Sequence, residues 1–526
     1  MRRIFFYASA FLILLVALFG HYVDPGFLWM YVVLLPLVGM GMHNALQTKR
    51  AILRNYPIIG MLRYFFEEIR PEIQQYFVEN DTDGAPFSRE LRSVVYQRAK
   101  KQLDTVPFGT QRDLYAAGAE WAQHSLLPHH IDPTSLRVTI GNHQCRQPYS
   151  ASVLNISAMS YGSLSAQAIQ SLNGGAKIGG FYHNTGEGGV SPHHLAEGGD
   201  ICWQVGTGYF GCRNDDGSFS GKKFKERSQL PQIKMVEIKL SQGAKPSHGG
   251  ILPAAKVTQE IAAIRGVSMG KDVISPPSHS KFSDAEGLIK FVSELRELSG
   301  GKPVGFKICI GNPAEFASIC RAIKKLDIYP DFITVDGAEG GTGAAPPEFT
   351  NSLGMPWIEG LTIVRDLLEL YGIKQHIRII TSGKVITGFH LMKALALGAD
   401  TVNSARGMML ALGCIQARRC NTNHCPAGVA TNDPGLTVGL VVVDKKHRVA
   451  NFHTNTVRAF AEIMGACGVT NTSQLRRSHI YKRTESGAVM SYEELYPSIS
   501  SDGSHSDRGS VLKNRSESYM HAASLF

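Results

Sequence analysis

The sequence predicts a (β/α)8 TIM barrel carrying an N-terminal transmembrane helical hairpin, an α/β fold on an apolar anchor. Three observations predict it. After about Asn142, short β-branched or aromatic runs ending near glycine alternate with helical stretches, the pattern of parallel strands joined by crossover helices. The unusual polar residues collect just behind those runs, where a barrel assembles its site from the loops at the C-terminal ends of its strands. Two long apolar runs stand alone at the start of the chain. A doubly wound sheet is the rival, but it would open with a GxGxxG turn after the first strand, and here that turn reads SAMSYGS.

The chain has 526 residues, 43% of them hydrophobic, with 54 glycines, which suits a globular enzyme rich in tight turns. Its formal charge of +10 comes from scattered Lys and Arg, with no stripe to track a phosphate backbone, so nucleic acid is not an expected partner. The group Lys222, Lys223 and Lys225 reads as a solvated loop. Nine cysteines in so long a chain do not make a disulfide scaffold and point to a reducing compartment.

Residues 4–22 are almost wholly apolar, near the length of a bilayer-spanning helix. A turn at Val23, Asp24, Pro25 and Gly26 leads to a second run at 27–42, which Ala45 and Leu46 extend. Arg2 and Arg3 precede the first run, and Lys49, Arg50 and Arg54 follow the second, so the positive-inside bias puts both ends in the cytoplasm. A cleaved signal peptide lacks a clean small-residue site here. A hairpin buried in a soluble core is the other alternative. The expected organisation is a membrane anchor at 1–48, a helical connector at 49–141 without catalytic residues, a barrel at 142–470 and a polar, disordered tail at 471–526. A closing helix at 456–468 is expected to lay its apolar face on the barrel. The expected location is the bacterial inner membrane, with the barrel facing the cytoplasm.

The candidate strands are residues 152–159, 181–184, 201–205, 235–240, 304–308, 332–335, 377–381 and 401–403. Behind the first come Ala158, Met159 and Ser160, and behind the second Glu187 in a glycine-rich turn. The fourth ends in Lys239, Gln242 and Lys245. The fifth carries Lys307, and the sixth runs into Asp336, Gly340, Gly341 and Thr342. Gly383 follows the seventh, and Ala405, Arg406 and Gly407 follow the eighth. Glycine turns after the last two strands, each leading into a helix, are the usual phosphate site of such barrels, where backbone N–H groups meet the anion. Lys307 on an inner strand is costly to bury alone. It either serves a redox ring that gains negative charge or reaches solvent at the barrel mouth.

Cys414, Cys420 and Cys425 follow the eighth-strand turn at spacing C-x5-C-x4-C. They form a cluster-sized group of thiols or, more plainly, three unrelated cysteines that pack as small hydrophobes.

Together these motifs resemble the FMN-binding synthase domain of glutamate synthase and its shorter stand-alone relatives. The matching segments, in order within 155–433, are ISAMSYGSLS, NTGEGG, QGAKP, GGILP, ISPPSH, DGAEGGTGAAP, SGKVITG and LGCIQARRCNTNHCPAGVAT. The resemblance implies that Cys414, Cys420 and Cys425 hold a 3Fe–4S cluster beside FMN, three thiolates suiting a three-iron cluster. It implies that Ala158, Met159 and Ser160 line the flavin and that Lys307 faces its pyrimidine end. Gly383, Ala405, Arg406 and Gly407 would hold the phosphate, with Lys239, Gln242, Asp336, Gly340, Gly341 and Thr342 completing the cofactor set. It implies reduction of 2-iminoglutarate, formed from 2-oxoglutarate and ammonia, to L-glutamate. Glu187, Lys245 and Arg265 are the expected catalytic residues: Lys245 and Arg265 for the two carboxylates, Glu187 for protons or ammonia at the imine carbon. A salt-bridged Glu–Lys pair and an exposed arginine are the plainer alternatives.

The sequence departs from the family in two ways. Ile251 in GGILP stands where glutamate synthases place a glutamine, so the substrate is expected to be an oxo or amino acid whose identity stays open. No glutaminase domain, glycine-periodic β-helix or NAD(P)H fingerprint is recognisable, so ammonia and electrons are expected from elsewhere, the electrons from a quinol or a membrane-bound donor protein. A dehydrogenase of another amino or oxo acid, and a non-catalytic redox relay, remain the alternatives.

Overall fold

The computed structural model describes residues 1–498, so the part of the expected tail beyond 498 lies outside the described residues. The chain divides into two compact units, 1–86 and 87 onward.

In the first unit, helix Arg2–Tyr22 is joined through a short 3-10 turn at Pro25–Met30 to helix Tyr31–Leu46, which contains Pro36. Both spans are long and apolar enough to cross a membrane. Their large side chains point outward: Tyr7, Phe11, Leu14, Val32 and Val33 are all exposed. Helices Ala51–Asn55 and Ile59–Ile73 complete the unit.

The second unit is built on a closed parallel barrel. Its strands are β1 (Leu154–Ile156), β2 (His183–Asn184), β3 (Ile201–Val205), β4 (Ile233–Lys239), β5 (Val304–Ile308), β6 (Phe332–Asp336), β7 (Arg378–Ser382) and β8 (Thr401–Ser404). Each pairs with its chain neighbour, and β8 closes onto β1, so all eight expected strands are present in their expected order. The strands read as near-continuous apolar runs because helices cover one face and the barrel interior the other. The first strand is shorter than expected: Tyr149–Ser152 leaves the barrel and pairs with Arg137–Ile140 in an antiparallel ribbon. Ile140 and Tyr149 of that ribbon join Tyr182, Cys202, Met235, Phe332 and Ile380 in a buried cluster at the N-terminal ends of the strands, opposite the expected site.

The connector boundary differs from expectation. Helix Arg89–Lys100 belongs to the barrel unit and packs on the long helix Val442–Ala466, where Asn451 and Asn455 donate to the carbonyls of Ala99 and Arg98. That long helix contains the expected closing helix and begins well before it. The expected tail also starts too early. Ile480–Arg483 pairs with both Glu120–Ala122 and Val489–Ser491. Buried ion pairs hold this region: Arg477 with Asp366 at 2.7 Å, and Lys393 with Glu120 at 2.5 Å, Glu120 also accepting from the Tyr492 hydroxyl at 2.6 Å. These are long-range polar partners, so a local hydrophobicity reading takes the segment for solvated chain. Lys222, Lys223 and Lys225 lie in a short helix, Gly221–Ser228, not in a loop.

Candidate active site

The strand ends converge as the barrel geometry requires. At the end of β5, Lys307 Nζ lies 3.1 Å from Asp336 Oδ2 at the end of β6, both side chains nearly buried. Burial favours the neutral amine, but Asp336 and, beyond it, Glu237 overcome this and hold the Lys307 ammonium above its ordinary value. Burial likewise raises the Asp336 carboxyl, and Lys307, Ser382 and the Gly243 N–H outweigh it, leaving the group below its ordinary range. The Gly243 N–H donates to Oδ2 at 2.9 Å, and Ser382 donates to Oδ1. Lys307 is therefore a buried, paired cation, not a lysine reaching into solvent.

Glu237 inside β4 was not foreseen. It is buried and accepts from Asn184 at 2.8 Å, Gln204 at 2.6 Å and Thr334 at 2.6 Å. Three uncharged donors from three strands satisfy this carboxylate beneath the site. Only the closed barrel brings them together.

Glu187, in the turn after β2, is faced by cations. Lys239 Nζ, from the end of β4, lies 2.8 Å from Glu187 Oε1. Burial raises the Glu187 carboxyl, but Lys239, followed by Arg265 and Lys245, outweighs it, so the group stays ionised. Glycines give it room: a Cβ on Gly250 would stand 2.2 Å from Oε1, and one on Gly206 2.7 Å from the Glu187 Cβ. Lys245 is only 2% exposed, and burial pulls its ammonium down to about 8 against the opposing pull of Glu187. Arg265 ends helix Gln259–Arg265, its guanidinium 5.2 Å over the Phe210 ring, and donates to the Tyr161 carbonyl at 3.2 Å. Its buried Nε has no partner among the described residues. Arg265 is thus buried, not exposed. Burial lowers it to about 10.

The last two strand ends carry the expected phosphate turn. Arg406 donates to the Glu339 carbonyl at 2.6 Å and lies over the Phe87 ring at 4.8 Å. A Cβ on Gly341 would come within 2.9 Å of its guanidinium carbon, and one on Gly383 within 2.7 Å of the Trp357 ring. Ala405, at the N-terminus of helix Arg406–Leu412, offers no side-chain cap, which leaves first-turn donors available to an anion. Gly407 packs under Ser404. Partial burial and then Arg406 lower Lys384 against Glu339, and burial lowers Arg406 against Asp336 and Glu339. These features fit a phosphorylated cofactor. Ala158 is half-buried, while Met159 and Ser160 are buried, the Met159 N–H donating to the Asn184 carbonyl at 3.1 Å. Gln242 is half-buried. Thr342 is exposed on its loop, apart from the ion pairs.

Beside this turn lies the cysteine segment. All three thiols are free, Cys425 buried and the other two half-buried. A Cβ on Gly343, in the loop after β6, would sit 3.8 Å from the Cys420 Cβ. Burial pushes the Cys414 thiol up to about 11, with Cys420 and Cys425 adding to the rise, so the three sense one another. Among the described residues no group of three Cys, His, Asp or Glu could hold a single metal ion. An all-sulfur donor set of this kind would suit an iron–sulfur cluster.

The connector supplies support that its sequence did not reveal. Tyr96 donates to the Cys414 carbonyl at 2.7 Å, and the Gln416 side chain bonds the Phe87 backbone in both directions at 3.2 Å. Lys256, also unforeseen, is buried against the cysteine arm, donating to the Ala430 carbonyl at 2.9 Å, and burial lowers it to about 8 against the pull of Cys420 and Cys425. Its signal was faint: one lysine in an apolar stretch after GGILP.

A closed barrel gathers paired charges and glycine turns at one end, and the proteins it matches make the chain an oxidoreductase acting on amino or oxo acids. The chain belongs to the glutamate synthase family: residues 100–470 match the conserved region in glutamate synthase. It is 39% identical over 490 residues to the glutamate synthase large subunit-like protein YerD of Bacillus subtilis, covering 85% of this chain and 93% of that one. It is 36% identical over 322 residues to the archaeal glutamate synthase [NADPH] of Methanocaldococcus jannaschii, covering 61% and 60%. Against the glutamate synthase [NADPH] large chain of Azospirillum brasilense it is 31% identical over 63% of this chain and 21% of that one.

Proposed function

We propose that this protein is a membrane-anchored FMN and 3Fe–4S oxidoreductase that reduces 2-iminoglutarate, formed from 2-oxoglutarate and ammonia, to L-glutamate. The carrying observation is the quartet at the barrel mouth: Glu187 ionised against Lys239, with Lys245 and Arg265 facing it. Lys245 and Arg265 have donors for the two carboxylates of a dicarboxylic acid, and the unpartnered Arg265 Nε supports that role. Glu187, held ionised, does not donate a proton at neutral pH. It accepts from ammonium or from an iminium N–H and steadies the positive charge at that nitrogen. Arg406, Lys384 and the open turn at Ala405 would hold the FMN phosphate. Lys307, kept charged by Asp336, would face the end of the ring that becomes negative. Bound there in its reduced form, the flavin would be the source of the hydride for the imine carbon and would be left oxidised. A cluster on Cys414, Cys420 and Cys425 would supply electrons singly.

The two exposed apolar helices and their flanking arginines and lysines support anchoring in the bacterial inner membrane, with the barrel on the cytoplasmic side. That placement favours a quinol or a membrane-bound carrier as electron donor. Detergent-purified, anaerobically reconstituted protein should show flavin and iron–sulfur absorbance, and a colourless preparation overturns the cofactor reading. Photoreduced protein mixed with 2-oxoglutarate and ammonium should reoxidise and yield L-glutamate. Anaerobic quinol that leaves the flavin oxidised counts against the donor.

One observation favours a second reading, a dehydrogenase of another amino or oxo acid. Ile251 follows Gly250, which packs on the Glu187 carboxylate, and its strand pairs with Val273–Ile274. An apolar side chain there offers no hydrogen bond to an oxo acid. Reoxidation by a less polar oxo acid in preference to 2-oxoglutarate would select this reading.

A further inference from the structure

Lys256 has no role in the scheme above, yet its position is costly. It is 2% exposed, and no carboxylate pairs with it among the described residues. Its Nζ donates to the carbonyls of Ser163 and Ala430, each at 2.9 Å, which uses two of its three N–H donors. A buried ammonium held only by neutral carbonyls needs a compensating negative charge. Ala430 lies on the same arm of chain as Cys420 and Cys425, whose sulfurs are the groups there able to supply one.

The surrounding hydrogen bonds tie three pieces of chain together. Asn432 Nδ2 donates to the Gly162 and Lys256 carbonyls, both at 3.0 Å. Asn423 Nδ2 donates to the Ala255 carbonyl at 3.1 Å. The Ser165 N–H donates to Val429 O at 2.9 Å, and its hydroxyl to Gly428 O at 2.7 Å. The cysteine arm at 420–432 is thereby stitched to the loop after β1, which carries Met159 and Ser160, and to the stretch after Ile251.

We propose that Lys256 is a positioning residue for the three-thiol segment, and that its charge beside Cys420 and Cys425 sets the reduction potential of the cluster held there. This rests on the cluster reading above. A fixed cation stabilises the more negative reduced form, so it raises the potential, as net charge and hydrogen bonds to sulfur do for such clusters generally. The carbonyl bonds keep the ammonium in place, and the neighbouring asparagines hold the arm independently of its charge.

The test uses the full-length holoprotein in detergent. Iron and acid-labile sulfide are assayed, and the cluster potential is measured by redox titration followed by electron paramagnetic resonance. K256M removes the charge. K256Q also removes it while keeping two N–H donors, and serves where Met disturbs packing. K256R retains the charge, and N432A removes stitching without touching it. The expected result is a fall in K256M and K256Q of at least about tenfold in the one-electron reduction constant, about 59 mV. K256R and N432A should stay near wild type. Loss of iron from K256M but not from K256R or N432A also supports the proposal, because charge then retains the cluster. An unmoved potential in a loaded K256M or K256Q protein overturns it, as does an equal shift in N432A. Wild-type protein free of iron and sulfide overturns the cluster reading together with this one, whereas a loaded wild type with an unmoved variant overturns this one alone.

Discussion

Substrate affinity should depend on the charge of Lys245. Its ammonium is buried and drawn down to about 8, while a dicarboxylate needs it protonated. With that value the free protein is about 90% charged here at pH 7 and about 10% at pH 9, so affinity for 2-oxoglutarate should fall about ninefold across that interval. The K245M variant loses a charge-assisted hydrogen bond of about 1.5–3 kcal/mol, a roughly tenfold to hundredfold weakening at pH 7. Its remaining affinity should not change between pH 7 and 9. Calorimetric titration of the oxidised protein, with K245R as the charged control, measures both effects. Stability moves the opposite way: the unfolded chain keeps this proton to higher pH than the folded one, so Lys245 contributes a gain in stability as pH rises from about 8 towards the ordinary lysine value. K245M should lack that gain. Wild-type affinity that is flat from pH 7 to 9, or an equal fall in K245M, would refute the assignment of Lys245 to the substrate carboxylate.

K307M leaves Asp336 ionised and buried with only Ser382 and the Gly243 N–H as partners, and should cost about 3–5 kcal/mol in chemical denaturation. K307M/D336N should recover part of that loss. G250A drives a methyl group into the space of Glu187 Oε1 and should separate Glu187 from Lys239, with turnover falling at least as far as in E187Q; normal turnover in G250A would show that the pair is dispensable. C414S, C420S and C425S should each lose iron while keeping flavin fluorescence, and iron content unchanged in any one would remove that thiol from the ligand set. Deletion of residues 2–46 should move the protein from the membrane to the soluble fraction of a lysate with flavin still bound, and persistence in the membrane would show that the hairpin is not the anchor.

The barrel was legible because strand and helix periods alternate along the chain and glycine marks each turn. All eight strands occur in the expected order, the first shorter than expected, and the residues expected to serve catalysis and phosphate binding fall at one end, as the chain order of a barrel demands. Thr342 and Gln242 were placed by motif alone, and neither joins the ion pairs. The segment 471–498 reads as solvated chain because Arg477 and Tyr492 find their partners Asp366 and Glu120 more than a hundred residues away.

By itself the sequence determined the strand order, the glycine turns, the spacing of the three thiols and the two apolar runs, all set by local period and composition. Tertiary structure alone decided which charges meet. Lys307 is a paired cation because β5 and β6 are neighbours, Glu237 is satisfied because β2, β3 and β6 surround it, and Lys256 meets the cysteine arm because two loops cross at Ser163 and Ala430. The physical reason is that Coulomb energy and desolvation depend on distance and burial in space, and separation along the chain specifies neither.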